Sequence, residues 1–225
     1  MSKVIINGTK APNLPIPTIA YSQTVQESFS NALRLYFNTL DAFTVNLSNT
    51  AGGASLSFPH ISALDTTDQY ATATNTPTIV KWNTLDSGLG FTLDPAYYVT
   101  AQYTGYYKID YSLQFANTDN AQHEVDVWLK VDTGAGFLDL PGSTSKISLP
   151  AHKNPSTPSF VLMYSTVPFQ VNAGDKIALW WATDQAATLA GGLGVYMEYQ
   201  GAQTTPYPHP SVPSAIGAIT FVSRI

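Results

Sequence analysis

No cysteine occurs among the 225 residues, which excludes both a disulfide framework and a thiolate metal site. Charge is scarce too: Asp, Glu, Lys and Arg make up 11% of the chain, against roughly a quarter in an ordinary soluble domain. The polar surface must therefore be built from Ser, Thr, Asn, Gln and Tyr, as suits extracellular or particle-bound β proteins. With a formal charge of −5, and Lys and Arg scattered singly, there is no basic stripe for a phosphate backbone, so nucleic acid is excluded as a partner. No apolar run reaches the roughly 18 residues of a membrane helix. The opening MSKVIINGTK lacks the apolar core of a signal peptide. The expectation is a chain made in a cytoplasm and soluble until assembled, with one large β domain plus an appendage.

What is present begins with one helical pattern. In Tyr21–Phe43, the residues Val25, Phe29, Leu33 (with Ala32), Tyr36, Leu40 and Phe43 recur at steps of three and four, which puts them on one stripe. Thr24 and Glu27 form a T-x-x-E capping box, with Ser22 as the competing cap. Residues 1–20 carry Pro12, Pro15 and Pro17, each biasing its predecessor to extended backbone. This arm is expected to lie on another surface, with Leu14, Pro15, Ile16 and Pro17 as the attachment residues. Residues 21–47 form the helical segment. The small, polar 48–55 reads as a linker, and 56–225 as the β domain.

From Phe58 onward the period is two. In Tyr106–Phe115, the residues Tyr107, Ile109, Tyr111, Leu113 and Phe115 point one way, while Tyr106, Lys108, Asp110, Ser112 and Gln114 point the other. That is the alternation of a half-buried antiparallel strand. Glu124–Val131 repeats it. Further strands are expected at 78–82, 91–93, 97–103, 137–140, 145–149, 159–171, 176–182, 193–199 and 215–222. About ten short strands without crossover helices predict a mainly β, antiparallel sandwich of the jelly-roll kind.

Two stretches resemble known families. Tyr98–Phe115, YVTAQYTGYYKIDYSLQF, resembles the signature of C1q and tumour-necrosis-factor-like jelly rolls, in which a Gly-Tyr-Tyr step opens a long aromatic strand; here these are Gly105, Tyr106 and Tyr107, then Tyr111 and Phe115. More broadly, Ala116–Asp132, Ser143–Pro150, Val171–Asp184 and His209–Phe221 are similar to virion structural proteins of tailed bacteriophages, cyanophages especially. Those proteins also carry a PNLP arm and an ALRLYFN-type helix, matched by Pro12–Pro15 and Ala32–Asn38. The resemblance implies a homotrimer and other virion proteins (capsid, neck or tail) as partners, with the virion as location. Bulky Phe, Leu and Tyr at the helix core positions agree with more than two strands. The stretch Gly191–Gln203 matches no pattern of either family.

The chemical candidates are sparse. Glu124 and Asp126 share one strand face about 7 Å apart, and Asp110 is expected on a neighbouring strand. A glycoside-cleaving pair or a calcium site competes there with a solvated face countered by Lys108 and Lys130. His60, His123, His152 and His209 have no ligand spacing, and there is neither a nucleophile elbow nor a phosphate-binding glycine loop. No enzyme activity, metal or cofactor is expected. Of the adjacent aromatics Trp180/Trp181, Tyr106/Tyr107 and Tyr97/Tyr98, one of each pair is expected to enter the core. Tyr106, Trp128 and Trp180 are the candidate contacts between copies in the β domain. The competing expectation is an adhesin recognising host glycan or protein through Thr183–Gly194 and Ser143–Thr157.

Overall fold

The computed structural model describes residues 12–16, 20–48, 58–154 and 157–225. It divides into two compact units, Met1–Ser57 and Phe58–Ile225. In the first, helix α1 spans Gln23–Ser48. Ser22, rather than Thr24, is the residue before the helix, and its carbonyl accepts from Gln26 N. Glu27 accepts from Gln23 Nε2 at 2.8 Å, a bond along the helix surface in place of the expected capping box. Neither helix end carries a charge that complements the helix dipole. Helices of this kind draw most of their stability from packing of the apolar face.

The second unit is β throughout its regular structure. Its strands are β1 His60–Asp65, β2 Thr78–Ile79, β3 Thr84–Leu89, β4 Phe91–Leu93, β5 Val99–Ala101, β6 Gly105–Asn117, β7 His123–Asp132, β8 Phe137–Asp139, β9 Ser145–Leu149, β10 Ser159–Val171, β11 Lys176–Thr183, β12 Val195–Met197 and β13 Ala215–Ser223. Sheet A has the order β10-β6-β13-β1-β3, with β12 also on β6, and sheet B the order β4-β5-β11-β7-β8, with β2 on β11 and β9 on β7. All of these pairings are antiparallel. They are also nested: β1 with β13, β5 with β11, β6 with β10, and β7 with β9. A single long hairpin rolled so that its pairs fall alternately in two sheets is a jelly roll.

The core lies between the sheets. Tyr107, Ile109, Tyr111, Leu113 and Phe115 from β6 face inward as their alternation predicts, and Val125, Val127 and Leu129 from β7 join Ile177, Leu179 and Trp181 from β11. Phe115 packs on Trp181 with ring centroids 5.5 Å apart. Tyr107 meets Phe91 edge-on at 5.2 Å and Phe221 at 5.5 Å. Gly105 opens β6 because a Cβ there would lie 2.7 Å from the Phe221 ring. The glycine of the Gly-Tyr-Tyr step is thus a packing requirement of the last strand. Gly217 likewise makes room for Trp82, whose ring would sit 2.7 Å from an added Cβ.

Strands β1 and β3 have no counterpart in the sequence reading. The inward residues of β1 are Ile61, Ala63 and Asp65, so the alternation is weak and ends in a buried carboxylate. That carboxylate is held by Thr67 N and Thr67 Oγ1 at 2.8 and 2.6 Å. β3 is an exposed edge strand whose pairing with β1 shifts register at Ser62/Ala63. Tyr97 and Tyr98 also depart from expectation: they lie in the turn before β5, both half-buried, with Tyr97 at φ 70°.

Candidate interaction surface

The helical stripe appears as a pattern of exposure. Val25, Phe29, Ala32, Leu33, Tyr36, Leu40 and Phe43 are half-buried, whereas Leu35 and Phe37 on other faces are 64% and 55% exposed. Leu35 and Phe37 were not singled out from sequence, because they fall off the three-four spacing. In the arm, Leu14 and Ile16 are exposed and Pro15 is half-buried. Pro17 and most of the expected 48–55 linker lie outside the described residues.

A second apolar surface lies on the outward face of sheet A. Phe160, Leu162 and Tyr164 alternate along β10 at 46%, 55% and 67% exposure. Cross-strand register puts Tyr164 beside Ser112 and Ser112 beside Ile216, and Ile216 is also exposed. Tyr106 sits at the far end of the same face, since Gln170 pairs with it. β10 is moreover the end strand of its sheet, 13 residues long, with Pro168 tolerated because an edge strand has unpaired positions. Long edges of this kind are normally blunted by charge, and β10 carries none. On β6 beside it, Lys108 and Asp110 are paired at 2.9 Å. Burial alone would raise Asp110, but hydrogen bonds from Thr166 and Lys108 outweigh it and hold the carboxyl below its ordinary value.

Trp128 and Trp180 lie elsewhere. They face each other across β7 and β11 on sheet B, on the opposite side of the sandwich from Tyr106, so the three residues do not form one surface. Both tryptophans have partners within the chain. Lys130 Nζ lies 4.9 Å from the Trp180 ring centroid, Phe137 is 6.3 Å from Trp180, and Trp128 Nε1 donates to Asp139 Oδ1 at 2.7 Å. Hydrogen bonds from Lys130 and then Trp128 hold the Asp139 carboxyl low.

The carboxylate candidates separate in the same way. Asp110 is on sheet A, whereas Glu124 and Asp126 are on sheet B, so they do not converge; this corrects the expectation of neighbouring strands. Glu124 pairs with Lys146 and Lys130 with Asp139. His123 faces away from Glu124, with Nε2 2.9 Å from Asp119 and Nδ1 3.3 Å from Asp184. These contacts tie the β6–β7 turn to the start of the loop after β11. Among the described residues no group of three or more His, Asp or Glu could hold a metal ion, and no helix is long and apolar enough to cross a membrane.

A phenol and carboxylate cluster, which sequence reasoning missed, lies beside β12. Tyr70 and Tyr196 stack at 5.3 Å; Tyr70 Oη donates to Asp68 at 3.1 Å and Tyr196 Oη to Glu198 at 2.9 Å. Burial, and then the bond to Asp68, pushes the Tyr70 hydroxyl up to about 12; burial and Glu198 push Tyr196 up as well. Unfolded tyrosines titrate near ~10. Between that pH and about 12 the unfolded chain therefore releases protons that the folded chain keeps, and stability falls as pH rises. Thermal melts from pH 8 to 12 are expected to show this alkaline loss, and the double variant Tyr70→Phe/Tyr196→Phe to show a shallower one; equal slopes would contradict it.

No protein-family model and no curated protein matches the chain. Among solved structures, the domain is similar to Eiger TNF from S. frugiperda, with TM-score 0.47 and 13% identity over 75% of this chain and 94% of that one. It is similar also to murine APRIL at pH 5.0, with TM-score 0.45 and 14% identity over 73% of this chain and 100% of that one.

Proposed function

We propose that this chain is a non-enzymatic structural protein of a tailed-phage particle, a homotrimer held to the particle by its N-terminal arm and helix. The observation that carries self-association is the uncharged edge strand β10 with Leu162 and Tyr164 exposed on one face. Burying an exposed Leu, Phe or Tyr contributes about 1.5–3 kcal/mol per side chain, so a few such residues from each copy suffice for a stable contact. A threefold arrangement is supported by the bulky residues at the α1 core positions and by the sequence resemblance to virion proteins. The same resemblance supports the virion as location and capsid, neck or tail proteins as partners. The scatter of carboxylates and histidines over both sheets supports a non-catalytic role.

Sedimentation equilibrium of the purified full chain at micromolar concentration is expected to give three times the chain mass. A monomer would overturn the assembly, and failure of a specific antibody to decorate any part of an intact phage particle would overturn the virion role.

A further inference from the structure

At the end of sheet A where β12 replaces β13 as the neighbour of β6, a depression of about 370 Å³ opens between Gln114, Phe160, Glu198, Gln200 and Val212. Its size falls within the roughly 300–1,000 Å³ of small-molecule sites. The walls are chemically distinct. Phe160, 46% exposed, offers a ring that stacks on no other aromatic ring among the described residues. Glu198 is oriented from two sides, Tyr196 Oη donating to Oε1 at 2.9 Å and Gln200 Nε2 to Oε2 at 2.8 Å. Its backbone N is fixed to the Gln114 carbonyl at 2.9 Å. The side-chain amide of Gln114 is itself without a hydrogen bond among the described residues.

We infer that this depression binds a neutral saccharide ring, the Phe160 ring lying against its C–H face and Gln114, Glu198 and Gln200 taking its hydroxyls. A hydroxyl both donates and accepts, which suits a rim where a free amide offers both and an oriented carboxylate accepts. An anionic ligand is disfavoured because Glu198 and Asp68 stand nearby without an ion-pair partner. A basic side chain would use the carboxylate but leave the Gln114 N–H groups unanswered, at a cost when they are covered. The site opens on the same outward face of sheet A as Leu162 and Tyr164, at its β12 end, and rests on an assembly that leaves Phe160 uncovered.

The test is saturation-transfer NMR on the full chain with methyl glycosides of glucose, galactose, mannose and N-acetylglucosamine, and with maltotriose, each at millimolar concentration. At least one is expected to bind, with affinity falling at least tenfold in both Gln114→Ala and Phe160→Ala and unchanged in Trp128→Ala. Sedimentation of the same samples separates this from assembly: Gln114→Ala is expected to lose sugar while keeping the wild-type mass. If no probe binds, if binding survives Gln114→Ala and Phe160→Ala, or if an arginine tripeptide binds the site in place of sugar, the inference is wrong.

Discussion

Replacing Leu162 and Tyr164 together by aspartate is expected to convert the assembled protein into folded monomers. Both side chains are more than half exposed within one chain, so the domain itself loses almost nothing and its thermal midpoint should stay within a few degrees of the monomeric baseline. At a contact between copies the change is large. Each residue forfeits about 1.5–3 kcal/mol of burial, and two carboxylates would have to be covered without partners, which costs several kcal/mol more. With tenfold in affinity for every ~1.4 kcal/mol, dissociation should weaken the assembly by at least about a thousandfold. Sedimentation velocity across a concentration series reads this directly. A variant that sediments as the wild type would remove the β10 face from the interface and leave α1 as the only assembly element.

The second large effect is in the core. Phe115→Ala is expected to cost about 3–5 kcal/mol, the transfer term plus a cavity that the surrounding sheets cannot close. Phe115 is fully buried and rests on Trp181, so its loss unpacks an aromatic contact between β6 of one sheet and β11 of the other. Domains of this size are stable by about 5–15 kcal/mol, and the midpoint moves roughly 2–4 °C per kcal/mol; a fall on the order of 10 °C is therefore anticipated in calorimetry. Tyr106→Ala, on the outward face of the same strand, should shift the midpoint far less. Equal shifts for the two would mean that the inward and outward faces of β6 are not as described.

Much of the fold was legible because its central strands are long and their inward residues large. β6 and β7 announce themselves by alternation of Val, Ile, Leu, Tyr and Phe with mostly polar residues, and β10 and β11 by continuous runs of apolar and β-branched residues between turns. β1 does not, because it points Ala63 and Asp65 inward, and β3 does not, because an edge strand paired through a bulge needs no apolar face. The outward aromatics were half legible. Tyr106 is exposed, as its adjacency to the buried Tyr107 implies, but Trp128 and Trp180, expected beside it as contacts between copies, lie on a sheet that carries its own cover of Phe137 and Lys130. Sequence gives the outward member of a pair; it does not say what the next loop lays over it. Phe160, Leu162 and Tyr164 were inside a strand expected correctly at 159–171, yet only the sheet order, with β10 at the end, turns their exposure into an unpartnered surface. The pocket was illegible for a related reason: Gln114, Phe160, Glu198 and Gln200 are far apart along the chain, and Glu198 and Gln200 fall in the stretch 191–203 that matches no motif.

The nesting of the strands also bears on when the protein can fold. Since β1 finds one of its two neighbours only in β13, through the register His60 with Thr220 to Asp65 with Ala215, and Phe221 N closes the mouth of the roll on the Pro59 carbonyl at 3.0 Å, the first strand emerging from a ribosome has to wait for the last. α1, built from local contacts, forms within about a microsecond of leaving the exit tunnel, whereas a roll of such non-local pairs takes milliseconds to seconds or longer once every strand is available. On one polysome, neighbouring nascent chains thus carry a formed α1 while their β domains are still open.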